Sequence, residues 1–116
     1  MTFRIFEEGS KINFVDSNNI LVGFDYQTSC CEDYGYFFAD TLDAEEGDEV
    51  LEGEGWVFES SFMHTTAKDV ETEIAVFKLV NGDQTKYLHL YNTHNGYYSH
   101  GFDMTGEGVT LHEGWL

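Results

Sequence analysis

A chain of 116 residues builds one domain around one core, which excludes an enzyme whose active site lies in a cleft between two domains. Apolar residues at 41% and aromatics at 16% are enough to bury a real core, so wholesale disorder is excluded as well. Against 22 Asp and Glu stand 5 Lys and Arg, a formal charge of −17 with His neutral; that field repels nucleic acid and anionic membrane surfaces, so neither is expected as a direct ligand.

In chain order, the opening Met1-Thr-Phe-Arg-Ile-Phe-Glu-Glu carries two acids where a signal peptide runs apolar. No apolar run approaches the roughly 20 residues of a spanning helix. Residues 11–15 are expected to pair with a strand in which Ile20, Val22, Phe24 and Tyr26 share one parity, across a turn written by Asp16-Ser-Asn-Asn19. The adjacent Cys30 and Cys31 have Cα atoms about 3.8 Å apart, too close for an unstrained disulfide, which points to a reduced, intracellular setting. Tyr36-Phe37-Phe38 and Trp56-Val57-Phe58 are short aromatic runs of the strand type. Between them residues 42–51 have room for a helical turn or two, interrupted by Gly47.

Ile74-Ala75-Val76-Phe77 is apolar on both parities, the mark of a central strand. The Asn81-Gly82 pair predicts a tight hairpin into residues 86–91, where Leu88 and Leu90 alternate with Tyr87, His89 and Tyr91. A second turn is expected at Asn95-Gly96, leading into Tyr97-Tyr98, and the chain ends on Trp115-Leu116. The expected fold is mainly β: a single β-rich domain over residues 1–116, a compact antiparallel sheet, sandwich or partly open barrel with at most one short helix.

The charge is concentrated. From Lys11 to Lys68 there is no other Lys or Arg, while the interval holds thirteen acids, and Asp43, Glu45, Glu46, Asp48, Glu49, Glu52 and Glu54 place seven of them in twelve residues. Solubility asks for a net charge of only about 2–8 in a small domain, and the excess costs stability through self-repulsion. One reading is a partner with a basic groove. Duplex DNA carries a negative charge per roughly 1.7 Å of axis, so a β domain with carboxylates at similar density can occupy a nucleic-acid-binding site. The plainer reading is a solvated acidic loop.

Other chemistry is thin. An EF-hand loop starting at Asp43 would put Glu45 and Glu54 in register, but Gly47 falls at position 5 where position 6 is required. Adjacent thiols cannot easily reach one zinc ion, and His64, His89, His94, His100 and His112 form no ligand pair. Cys31 with His94 or His100 could be drawn as nucleophile and base, yet the acidic surroundings raise a thiol pKa. No phosphate loop, nucleophile elbow or His-Glu-x-x-His occurs. The expectation is a binding protein without cofactor, metal or catalytic residue. Its rivals are self-association, as a homodimer or accessory assembly, through exposed aromatics such as Trp56, Tyr97 and Trp115, and a metal or thiol enzyme using Cys30, Cys31 and the histidines.

Two motifs, Cys30-Cys31-Glu32 and Asn95-Gly96-Tyr97-Tyr98-Ser99, together with the acidic Gly47–Gly53 stretch and the strand Val76-Phe77-Lys78-Leu79, resemble an uncharacterised family of small phage and bacterial proteins. The resemblance covers roughly residues 18 to 103; the chain departs from it in having Ala75-Val76 where family members carry a Trp, and in its fewer basic residues. It implies no reaction or cofactor. It does imply a phage or mobile-element origin, and with the charge it leads to an expected inhibitor of a host nucleic-acid-handling defence, of the anti-CRISPR or anti-restriction kind. That inhibitor would act in the host cytoplasm on a basic nucleic-acid-binding protein or complex.

Overall fold

The computed structural model describes residues 3–26, 33–67, 72–93 and 100–116. Its nine strands are β1 (Arg4–Glu8), β2 (Lys11–Val15), β3 (Leu21–Asp25), β4 (Asp33–Ala39), β5 (Val57–Ala67), β6 (Thr72–Asn81), β7 (Gln84–Thr93), β8 (Gly101–Gly106) and β9 (Val109–Trp115). They form a five-stranded sheet in the order β1-β2-β3-β8-β9 and a four-stranded sheet in the order β4-β7-β6-β5, and every pairing is antiparallel. There is no helix among the described residues, and residues 42–51 run as an irregular connection. The mainly β expectation is met by two packed sheets. No helix is long and apolar enough to cross a membrane.

Alternation along the strands dictates which side chains meet between the sheets. From the first sheet come Ile12, Phe14, Val22, Phe24, Phe102 and Met104; from the second, Phe38, Phe58, Ala75, Phe77, Leu79, Leu88 and Leu90, all in one buried cluster. Rings knit the two layers: Phe14 meets Tyr36 edge-on at 5.0 Å and Phe77 meets Phe102 at 5.9 Å. Fully burying a side chain of this size contributes about 1.5–3 kcal/mol, so the aromatic runs form the core. Trp56, expected as an exposed aromatic, is 2% exposed and belongs to it.

The β2–β3 and β6–β7 hairpins form as expected, with one shift at the second. Asn81 lies opposite Gln84, so the two turn residues are Gly82 and Asp83. Gly82 alone takes a positive φ of 60°, which suits a turn that requires glycine at its first central position. Asn81 thereby keeps its side chain for another task. The Cys30-Cys31-Glu32 and Asn95–Ser99 motifs lie outside the described residues.

Candidate functional site

All seven acids of the 43–54 segment are exposed. What the sequence did not reveal is how their backbone is held. At the start, His89 Nε2 lies 3.1 Å from the Thr41 carbonyl, and since a carbonyl only accepts, Nε2 carries the proton. In the middle, Asp48 makes a two-way bridge to β4: the Phe38 N–H donates to the Asp48 carbonyl at 2.6 Å and the Asp48 N–H returns to the Phe38 carbonyl at 2.9 Å. Toward the end, the Trp56 indole N–H donates to the Glu52 carbonyl at 2.8 Å, and the Asn81 amide donates to the Glu54 carbonyl at 2.7 Å. The backbone is thus tied down at four points on β4, β6, β7 and Trp56 while the carboxylates face solvent. Gly47 fits this path because a Cβ there would collide with the Phe38 carbonyl and crowd the Phe37 ring.

Four of the cations are among the described residues. Lys86 pairs with Asp40 at 2.6 Å, Lys78 with Glu59 at 3.5 Å and Lys11 with Asp103 at 3.7 Å, while Arg4 lies over the Phe6 ring. None of these partners belongs to the seven. Asp40 and Glu59, which the sequence places in a stretch without neutralising charge, therefore do find lysines, supplied by β7 and β6. Asp16, another of the thirteen, is fully buried: Oδ1 accepts the N–H groups of Asn18 and Ile20 at 2.9 and 2.8 Å, and Oδ2 accepts that of Phe58 at 2.7 Å. It joins the β2–β3 turn to β5 and is part of the framework.

Two clefts flank the segment. One, of about 700 Å³, is lined by Asp40, Asp48, Glu49, Glu52, Trp56 and Lys86. The other, of about 380 Å³, lies between the 44–49 stretch and the outer face of the four-stranded sheet, with Phe37, Ile74 and Tyr91 in its wall and Asp33, Glu45, Glu46 and Glu49 around it. Burial raises the pKa of the Tyr91 phenol, and the nearby Asp33 and Glu49 carboxylates push it the same way. Tyr36 is raised likewise by burial, then by Glu49 and Glu7.

Three histidines, His89, His100 and His112, serve the fold. His89 is 1% exposed and stacks on Phe37, with ring centroids 4.5 Å apart and planes 10° apart. Burial lowers its pKa, against the opposing pull of the Thr41 bond and of Asp43. His100 packs against Phe24 and Tyr34 with Nδ1 2.6 Å from the Asp25 carbonyl, and His112 Nε2 lies 2.7 Å from the Ser60 carbonyl, joining β9 to β5. Among the described residues no three His, Cys, Asp or Glu side chains converge to hold a metal ion. Cys30, Cys31 and His94, the other residues of the metal and thiol reading, lie outside the described residues.

No curated protein and no solved structure matches the chain. A family model does, over residues 2–104, a longer span than the motif resemblance covers. The chain belongs to that family, a domain of unknown function (DUF7448).

Proposed function

We propose that this protein is an acidic binding protein whose 43–54 segment enters a basic, nucleic-acid-binding groove on a partner and excludes the nucleic acid. In its specific form, it is a phage-encoded inhibitor of a host defence complex, anti-CRISPR or anti-restriction in kind, working in the host cytoplasm. Asp43, Glu45, Glu46, Asp48, Glu49, Glu52 and Glu54 are the residues that meet Lys and Arg. One observation carries this reading: the segment's backbone is tied at Asp48, Glu52 and Glu54, and just before it at Thr41, while its carboxylates stay exposed. A tied segment loses less conformational entropy on binding than a free loop, and a dense run of exposed carboxylates steers a cationic partner at long range.

The test is capture from nuclease-treated bacterial lysate with this protein as bait, washed at low and high salt, followed by nucleic-acid competition on the captured partner. The expected partner binds DNA or RNA, is released at high salt and loses its nucleic acid when this protein is added. Asp43→Lys, Glu46→Lys, Glu49→Lys and Glu52→Lys combined abolish capture while the circular dichroism spectrum is kept; capture that survives them defeats the proposal.

A second reading has its own observation. On the edge strand β9, Trp115 is 72% and Val109 59% exposed, beside a less exposed Leu111. Such an edge suits self-association. Light scattering separates the two, because assembly through β9 gives a dimer or larger species that persists in high salt, whereas the first reading needs only a monomer.

A further inference from the structure

Going beyond the reading above and standing without it, we propose that β1 is the surface through which two copies of this chain pair, edge to edge and antiparallel, with Phe6 on the two-fold axis. The edge strands of the two sheets, β1, β9, β4 and β5, are not equivalent. β4 carries the bridge to Asp48, β5 breaks register between Phe58 and Met63, and β9 is joined to β5 through His112 and Ser60. β1 runs unbroken against β2 from Arg4 to Glu8, and among the described residues no other strand pairs with it.

Its open edge has a definite pattern. Gly9 and Ser10 make the β1–β2 turn, so Glu8 and Lys11, which close it, exchange backbone bonds; by alternation so do Phe6 with Asn13 and Arg4 with Val15. The N–H and C=O groups of Ile5 and Glu7 therefore point away from β2. A second β1 centred on Phe6 sets Ile5 of one copy opposite Glu7 of the other, and these groups bond in both directions. Arg4, Phe6 and Glu8 then fall at the positions without backbone bonds, where opposed side chains come closest. Arg4 faces Glu8 of the other copy at both ends, and Phe6 faces Phe6 between them.

Charge selects this edge for this occupant. A chain at −17 repels its copy, so a self-contact needs both signs on one short strand. β1 holds the only arginine of the sequence, exposed, with its guanidinium 5.9 Å from the Phe6 ring centroid. Glu8 is exposed on the same face, and neither Arg4 nor Glu8 forms an ion pair with a described residue. Lys11, across from Glu8, reaches Asp103 instead. Arg4-Ile5-Phe6-Glu7-Glu8 is thus complementary to itself when reversed, with no like charges opposed. The same operation on β9 sets Leu111 against Glu113 and Val109 against Trp115, without an ion pair.

The experiment is sedimentation of the full chain at about 0.15 M salt, for the wild type, Arg4→Glu, Glu8→Arg and an equimolar mixture of the two variants, each checked for a dispersed amide spectrum. The wild type is expected in a concentration-dependent monomer–dimer equilibrium. Each variant alone should dimerise at least about tenfold more weakly, because like charges now meet at both ends. Their mixture should recover the dimer, since each variant supplies the sign the other lacks. A second measurement needs no variant: hydrogen exchange at the Ile5 and Glu7 amides slows as the wild-type concentration rises, while the amides of β9 are unchanged. A wild type that stays monomeric to about 1 mM, a dimer that survives both charge reversals, or a mixture no tighter than its components overturns the β1 pairing. Protection that appears in β9 instead overturns it as well. The acidic segment is tested separately, by the lysate capture.

Discussion

Asp16 and the acids of residues 43–54 are one chemical group put to opposite uses. Asp16 turns inward, and both its oxygens take backbone N–H groups, two from its own turn and one from Phe58, forty-two residues away. Along residues 41–54 the main chain is what turns inward: the carbonyls of Thr41, Asp48, Glu52 and Glu54 are the bonded groups, and the seven carboxylates are exposed. The difference teaches that acidity here has two structural origins. A buried carboxylate is kept because the fold needs an acceptor between its two layers. An exposed run of seven costs self-repulsion and adds nothing to the core, which is why we propose a role for it in binding.

The largest way to break this contrast is Asp16→Ala. It removes the acceptor for three N–H groups, of which that of Phe58 is buried. Each such group left unsatisfied costs about 1–3 kcal/mol, so the loss is expected at about 3 kcal/mol or more, read as a drop in the urea midpoint. A shift below about 1 kcal/mol would show that the link between the layers is dispensable. Asp16→Asn is expected to fall between, because the amide keeps one acceptor and turns a donor toward other donors.

His89 offers a smaller and pH-dependent test, since it anchors the segment at Thr41 from beneath. Its folded pKa is lowered, chiefly by burial, so the folded state favours the neutral ring. The stability this contributes is therefore full above the unfolded value of about 6.5, and is lost as pH falls from there through the lower folded value. Protonation of surface carboxylates relieves repulsion and acts in the opposite direction. The measurement that separates the two is a difference: unfolding free energy of the wild type minus that of His89→Phe, which keeps a ring against Phe37. That difference is expected to rise with pH between about 5 and 7 and level off above; a flat difference would mean that His89 titrates alike in both states.

Much of the fold was legible in the sequence and much of the site was not, for a physical reason. Strand periodicity is local, so Val22 and Phe24, Leu88 and Leu90, and the Ala75–Phe77 run covered on both faces could be assigned, and these lie as expected, whereas Ile74, expected to be covered with them, is half-buried at the wall of a cleft. The hairpin was located, but its register moved by one residue, because the positive φ belongs to Gly82 alone. The acidic run was equally plain. Its anchoring was not, because the bond from Asn81 to Glu54 spans 27 residues and that from His89 to Thr41 spans 48. Neither spacing leaves a mark in sequence. Asp16 did leave one, an Asx-type turn with bonds to positions two and four ahead, but its reach to Phe58 was invisible. Trp56 reads as a surface anchor or a core ring equally well until the sheets are placed.

The smallest expected effect is the one that sharpens the comparison most. Replacing Glu46, Glu49 or Glu52 singly by Gln removes a solvated charge and no packed atom. Each should change stability by no more than about 0.5 kcal/mol. The sign is informative: with −17 overall and the described lysines paired elsewhere, removal of a negative charge should stabilise. The gain should shrink as salt rises, because the screening length falls from about 30 Å at 0.01 M to about 8 Å at 0.15 M. Unfolding curves of the three variants at both salt concentrations check this. A Glu→Gln change that destabilises as Asp16→Asn does would mark its carboxylate as part of the framework and remove it from the surface offered to a partner. Neutral or stabilising changes at all three would leave these carboxylates without a role inside the fold, which is the condition the proposed binding role requires.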